Sequence, residues 1–284
     1  MIVFLNGQFV PEEQAVVSVF DRCFLYGDGL FETILLRNGR PFRWEQHLHR
    51  LWQGAEFLKI PLPFELEALR GFVEELVDAN RLPNALLRLT LSRGVGVRGY
   101  SPAGANRPAL VMSLHAAPAT EAAHAPRWRL VTASPRLGVN DPLAQFKTCN
   151  KLAQILARSE AESAQAHEAL LLNTDGCVVE AASSNLFWLE RGTVFTPPLP
   201  SGILPGITRA VVLELCQNLR LPLREAAVPP EHLGQADGVF LSLSSVGIAE
   251  GIALDAKPLR QSPITEQIRA AYAKLLKLES DSAL

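Results

Sequence analysis

The stretch from Phe146 to Phe187 limits what this chain can fold into more than any other. Phe146-Lys147-Thr148-Cys149-Asn150-Lys151-Leu152 places a lysine just ahead of a segment, Ala153 to Glu162, whose apolar residues recur at helical spacing. Glu168 to Asn173 reads as a strand, Thr174-Asp175-Gly176-Cys177 as a hairpin turn, and Val178-Val179-Glu180 as the start of the returning strand. That strand reads on through Leu186 to Leu189 by way of Ala181-Ala182-Ser183-Ser184-Asn185. Those side chains are smaller than a packed strand normally carries, which leaves room for something other than protein. A lysine just ahead of a helix, a carboxylate on a strand that reads as buried and unfilled space beside it form the core of the reading.

Elsewhere the chain alternates strands and helices. Ile2 to Val10 reads as a hairpin around Asn6-Gly7, residues 16 to 20 as further strand, and Phe31 to Leu36 as a strand entering an Asn38-Gly39 turn. Two glycines flank Asp28, so the backbone there turns sharply or approaches something closely. Glu45 to Ala55 and residues 64 to 80 read as amphipathic helices. On the first of them, Arg50 lies among apolar neighbours and needs a partner, either a carboxylate or a phosphate. His47 reads as structural. Leu86 to Ser92 and Val111 to His115 are strands, and a linker is expected over 116–126. The chain then divides into an N-terminal domain, 1–115, and a larger C-terminal domain, 127–284, carrying Lys147.

Gly94-Val95-Gly96-Val97-Arg98-Gly99 matches a dinucleotide fingerprint in letters only, because Tyr100-Ser101-Pro102 follows where a helix should open. The segment reads instead either as a solvated basic turn or as a loop whose Arg93, Arg98 and Tyr100 grip a carboxylate. Further on, Gly206-Ile207-Thr208 opens a helix. Its amides could hold a phosphate, or Thr208 could simply cap the helix. A late strand, Gly238 to Leu243, ends in Ser244-Ser245, and residues 263 to 277 close the chain as a helix.

Composition excludes several classes. With 27 basic and 29 acidic residues, the net charge of -2 gives no global attraction to nucleic acid or anionic membrane. No apolar run reaches transmembrane length, and the first residues are too short for a signal peptide. The four cysteines, Cys23, Cys149, Cys177 and Cys216, have no paired spacing and read as reduced thiols of a cytoplasmic protein. No metal site is expected.

Lys-x-x-Asn-x-Leu, Glu-Ala-x-x-Ser-Asn-Leu-Phe and Gly-Ile-Thr-Arg, in this order, resemble the class IV family of pyridoxal-phosphate (PLP) aminotransferases, from about Asn6 to about Pro258. The family includes branched-chain and D-amino-acid aminotransferases and aminodeoxychorismate lyases. The resemblance implies a two-domain α+β (α/β) chain of fold type IV, D-amino-acid aminotransferase-like. A small sheet-and-helix domain is joined to a larger β-barrel-like one, with PLP in the cleft between them. It implies a homodimer.

The resemblance also assigns roles. Lys147 would carry the cofactor and shuttle protons, and Glu180 would hold the pyridine nitrogen protonated. Lys151 competes with Lys147, which is preferred because Thr-x-Asn follows it. Arg50, the amides of Ile207 and Thr208, and Ser244, or Ser245 second, would anchor the phosphate. Tyr26, Thr33, Arg93, Arg98 and Tyr100 would bind a small carboxylate-bearing amine.

Ser-Arg-Gly-x-Gly-x-Arg-Gly-Tyr-Ser resembles the lyase branch in particular, as does Thr33. Against that branch, Leu243 or Ser244 stands where an asparagine is common. The expected activity is therefore 4-amino-4-deoxychorismate lyase, giving pyruvate and 4-aminobenzoate for folate synthesis. One alternative is a class IV aminotransferase acting on branched-chain or D-amino acids with 2-oxoglutarate-type acceptors. The other is a catalytically silent PLP-binding relative.

Overall fold

Alternating side chains build the first sheet. In β1 (Ile2–Leu5), β2 (Gln8–Pro11), β3 (Gly29–Arg37), β4 (Arg40–Pro41), β5 (Ala85–Ser92) and β6 (Ala109–Ala116), the strand order is β2-β1-β6-β5-β3-β4. All pairings are antiparallel. Along β5, Ala85, Leu87, Leu89 and Leu91 are buried, while Leu86, Arg88 and Thr90 are half-buried, so the sheet has one dry face. The dry face packs against α2 (Trp44–Leu58) and α3 (Leu66–Asn80), which bury Leu48, Leu51 and Ala55, and Leu69, Val73 and Leu76. Asn6 and Asn38, at φ 51° and 52°, turn the two expected hairpins.

Residues 16 to 20 do not continue the sheet. Val16, Val17, Val19 and Phe20 are exposed, and the chain turns there so that Asp21 caps a short helix, α1 (Arg22–Tyr26). Asp21 accepts from the backbone N–H groups of Cys23 and Phe24 at 2.8 and 3.3 Å. The helix ends at Gly27 in the left-handed region (φ 69°), against Asn150, whose side chain leaves no space for a Cβ at that position.

This computed structural model describes residues 1–118 and 126–281, so positions 119–125 of the expected linker lie outside the described residues. The chain forms two compact units. The first holds Met1–Pro118, Phe146–Asn150 and, among the described residues, 279–281. The second holds Lys151–Leu278 and the residues leading up to Gln145.

Lys147, expected in the second domain, thus belongs by its contacts to the first. Its strap is bonded to β3: Phe31 donates to the Lys147 carbonyl and Cys149 to the Gly29 carbonyl, each at 2.9 Å. Phe146 lies against Phe57, with ring centroids 4.6 Å apart.

The second unit is a closed barrel with extra strands. Its strands are β7 (Arg127–Leu137), β8 (Glu168–Asn173), β9 (Val178–Ala181), β10 (Asn185–Glu190), β11 (Thr193–Thr196), β12 (Leu223–Glu225), β13 (Gly238–Leu243), β14 (Gly247–Leu254) and β15 (Lys257–Pro258). Six of them close in the order β10-β13-β14-β7-β8-β9, with β9 returning to β10. Leu130, Leu170, Leu186, Trp188, Val239 and Leu241 share its largest core.

The helices are α4 (Leu152–Ser163), α5 (Ile207–Asn218), α6 (Pro230–Leu233) and α7 (Pro263–Asp281). Ala157 and Ala161 seat α4 on β7 and β8, while Leu152, Ile155 and Leu156 on the same helix stay exposed. No helix among the described residues is long and apolar enough to cross a membrane.

The small residues after Glu180 have a local explanation. The strand does not run on: β9 stops at Ala181, Ala182–Ser184 reverses the chain, and β10 starts at Asn185, paired with Glu180. Ala181 donates to the Ser184 carbonyl at 2.7 Å, closing the turn.

Candidate active site

Strand alternation on β3 sorts four residues into two groups. Leu30 and Ile34 belong to the core under α2, and Glu32 points to that side. Phe31 and Thr33 take the other face, opposite Thr90 and Arg88 of β5. The Lys147 ammonium stands 4.7 Å from the centre of the Phe31 ring. The Arg88 guanidinium stands over the same ring at 3.4 Å, its Nε donating to Thr90 Oγ1 at 3.2 Å. Lys147, Thr33 and Arg88 therefore share one face of the first sheet.

Arg88 is absent from the candidates read in the sequence. The signal was present in Leu86-Leu87-Arg88-Leu89-Thr90-Leu91, where period two puts the arginine on the face opposite Leu87, Leu89 and Leu91. Lys151, the rival lysine, precedes the first residue of α4 and belongs to the second unit.

Arg50 has the carboxylate partner. Its Nε and Nη2 donate to the two oxygens of Glu32 at 2.8 and 2.7 Å, and Glu32 Oε2 also meets His47 Nδ1 at 2.7 Å. All three are buried. Burial alone would raise the Glu32 carboxyl, but the charges of Arg50 and His47 outweigh it and hold Glu32 at about 2. Burial pushes His47 below its ordinary value, against the pull of Glu32. His47 is thus buried against Glu32. Arg50 remains the candidate for the phosphate, with its orientation set by Glu32.

The arginine loop divides. Arg93, expected to grip substrate, is a buried strut. Its Nε donates to Asp28 at 2.7 Å, and its two terminal nitrogens donate to the carbonyls of Lys59 and Leu58 at 3.0 and 2.8 Å, closing the end of α2. Arg22, which the sequence reading passed over, is equally buried. It donates to Asp28 at 2.8 Å and to the carbonyls of Gly99, Tyr100 and Ser101. Burial works against ionised Asp28, but the two arginines hold its carboxyl below its ordinary value.

On that frame the Tyr26 hydroxyl accepts from Gly99 N–H at 3.1 Å, and its ring meets that of Tyr100 at 5.6 Å. Arg98 and Tyr100 are exposed. Of the four loop candidates, Arg98 and Tyr100 are exposed, Tyr26 bonds the loop backbone, and Arg93 is buried with its donors on Asp28 and the end of α2.

The second unit builds its cluster largely from backbone. Glu180 accepts from Leu204 N–H at 3.0 Å and from Asn185 Nδ2 at 3.4 Å, and Asn185 also donates to the Leu204 carbonyl at 2.9 Å. Asn185 thereby ties the carboxylate to the start of α5. The helix is capped at Gly206 by no side chain, so Thr208 is not its cap. A Cβ on Gly206 would lie 2.0 Å from Asn185 Oδ1, so only glycine allows this approach. Ser244 and Ser245 lie half-buried in the turn joining β13 to β14. Ser242, opposite Asn185 on β13, and Ser184 each bury a hydroxyl oxygen with no hydrogen-bond partner.

The chain matches the family model described as amino-transferase class IV over residues 29–251. It is 34% identical over 267 residues to a putative branched-chain-amino-acid aminotransferase of Methanocaldococcus jannaschii, covering 94% of this chain and 92% of that one. It is 30% identical over 285 residues to a D-alanine aminotransferase of Staphylococcus aureus, covering 98% and 99%. Among solved structures, a branched-chain amino acid aminotransferase of T.th., solved with pyridoxamine 5'-phosphate, superposes with a TM-score of 0.89 at 28% identity, over 96% of this chain and 93% of that one. The 4-amino-4-deoxychorismate lyase of Pseudomonas aeruginosa does so at 0.84 and 34%, over 98% of both.

The residues present fit PLP. The α5 N-terminus has no side-chain cap, Gly206 admits no Cβ, two buried hydroxyls lack partners, and Glu180 is fixed beside them. The chain belongs to the amino-transferase class IV family and is a PLP-dependent enzyme of fold type IV.

Proposed function

We propose that this chain is an aminotransferase that moves the amino group of a small aliphatic amino acid to a 2-oxo acid. The observation that carries the reading is the placing of Lys147 and Arg88 over one ring, that of Phe31. An α-amino acid has its carboxylate one bond from the carbon that loses the proton, so a guanidinium beside the lysine base suits it. Aminodeoxychorismate has no carboxylate on the carbon bearing its amine. The similarity to branched-chain and D-alanine aminotransferases supports the same reading.

Lys147 Nζ would take the proton from the substrate Cα and pass it to the cofactor carbon that takes up the amino group. Bound PLP supplies the electron sink for the pair left at Cα. Glu180 holds the pyridine nitrogen protonated. Arg50, the amides of Ile207 and Thr208, and a hydroxyl from Ser244 or Ser245 hold the phosphate, with Ser242 added to that set by its unpartnered oxygen. Arg88 and Arg98 bind substrate carboxylate, with Tyr26, Thr33 and Tyr100 lining the approach. A homodimer goes with this reading, supported by the exposed apolar run Val16, Val17, Val19, Phe20, Phe24 and Leu25.

The lyase remains the second reading. The string Ser92 to Ser101 favours it, although Arg93 is bonded to Asp28 and the end of α2. One experiment separates the two. The holoenzyme is given L- and D-amino acids with 2-oxoglutarate, and separately aminodeoxychorismate made in place from chorismate. Steady production of a new keto acid without 4-aminobenzoate supports the transferase. Steady 4-aminobenzoate with slow amino-acid turnover overturns it in favour of the lyase. A protein that binds PLP and does neither is the silent relative.

A further inference from the structure

Two thiols far apart in sequence meet beside the lysine strap. Cys23 lies in α1, three residues before Tyr26, and Cys149 lies two residues after Lys147. Both are in the first unit, and both are partly exposed. Gly29 brings them together. Its carbonyl accepts the Cys149 N–H at 2.9 Å, and a Cβ built on it would lie 2.9 Å from Cys23 Sγ. The thiols hydrogen-bond one another, and that bond, burial and the charges of Asp21 and Asp28 push the Cys23 thiol well above its ordinary value. Neither thiol is among the residues proposed above to hold the cofactor or move the proton.

We propose that Cys23 and Cys149 are a reversible redox pair, oxidised by low-molecular-weight disulfides to an intramolecular disulfide that switches the site off. In the oxidation one cysteine sulfur attacks the small disulfide and expels one thiol. The other cysteine sulfur then displaces the second thiol. The two cysteines lose their S–H hydrogens and form one S–S bond, and the small disulfide is reduced to two thiols.

Closing the bond draws the sulfurs to about 2.05 Å, well inside hydrogen-bond contact. Cys149 is held to Gly29 and Lys147 to Phe31 by their backbones, so the adjustment falls on the strap and on α1. The strap positions the lysine. Tyr26 on α1 holds Gly99 of the arginine loop. A displacement on the order of 1 Å at such groups costs about 100-fold in rate.

The test uses the PLP-loaded protein treated with oxidised glutathione. Non-reducing mass spectrometry of the whole chain and of its peptides is run beside the amino-acid assay. The expected result is a chain two hydrogens lighter, a cross-linked Cys23–Cys149 peptide, a loss of activity of about 10-fold or more, and recovery with dithiothreitol. Cys23→Ser should keep basal activity and resist the oxidant, and Cys177→Ser should respond like the unaltered chain. If Cys149→Ser does not fold, Cys23→Ser alone carries the comparison. Absence of the cross-linked peptide, or a cross-link that leaves the rate within about twofold, overturns the proposal. The peptide map does not depend on which reaction the enzyme performs. An error in the transferase reading would therefore appear in the substrate panel and not in the map.

Discussion

The two units hold their candidate site residues by different physics. In the first, buried charges position one another: Glu32 orients Arg50 and His47, and Asp28 is clamped by Arg22 and Arg93. In the second, the backbone does most of the positioning, through Leu204 N–H on Glu180, an uncapped α5 and a glycine pressed on Asn185. A buried arginine is therefore a weak guide to a ligand in the first unit, because Arg22 and Arg93 are both struts. In the second unit the residues that matter are nearly silent in side-chain chemistry.

The largest effect expected is at Lys147. Lys147→Ala should lower turnover by about 10³-fold or more and abolish the absorbance of the lysine-bound cofactor, while Lys151→Ala should change the rate by less than about 10-fold. The reverse pattern would move the chemistry from the strap to the foot of α4.

The next test breaks the comparison itself. Glu32→Gln leaves Arg50 buried without its counter-charge and should cost about 3–5 kcal/mol in urea unfolding. Glu180→Gln keeps the bonds to Leu204 and Asn185 nearly isosteric. It should cost less than about 1 kcal/mol while lowering the rate by about 100-fold, the pyridine nitrogen having lost its anion. Equal stability losses in the two variants would show that the units are held alike.

Within the arginine loop, Arg93→Ala should cost about 2–3 kcal/mol, because it removes three buried donors and strands Asp28 beside one arginine. Arg98→Ala should leave stability within about 0.5 kcal/mol and raise the KM for the amino acid. A KM effect confined to Arg93 would restore the lyase-like reading of the whole string.

These contrasts explain what was legible. Hairpins at Asn6-Gly7, Asn38-Gly39 and Asp175-Gly176, and helices with a periodic apolar face, stand out because their signals are local. Residues 16 to 20 looked like strand by composition, but no partner edge takes them up. The turn at Ala182–Ser184 looked like a widened strand because smallness alone does not say whether the space holds a ligand or a reversing backbone. Arg93 and Arg98 are chemically identical in the sequence. What separates them is Asp28 and the end of α2, contacts formed only on folding. Gly206 and the Leu204 amide carry no side-chain signal, so the family resemblance pointed to that corner when composition could not.

The smallest expected effect concerns acid. Glu32 is held at about 2 against an ordinary 4.5, so between those values the unfolded chain takes up a proton that the folded chain refuses. Its stabilisation is complete above about 4.5 and is lost as pH falls toward about 2. His47, also lowered, adds loss in the same direction once pH drops below 6.5. Glu250 in the second unit has the opposite sign. Burial raises it, so its contribution is complete at low pH and declines as pH rises through its folded value. Because Glu250 is only half-buried, solvent screening limits that term to under about 1 kcal/mol. Urea midpoints measured from pH 7 down to about 2 should fall in the unaltered chain, most steeply below about 4.5. Glu32→Gln should flatten the fall, and Glu250→Gln should raise the midpoint slightly at pH 7 and leave the fall in place. A fall that persists unchanged in Glu32→Gln would mean that the charge cluster under α2 is not what acid attacks first.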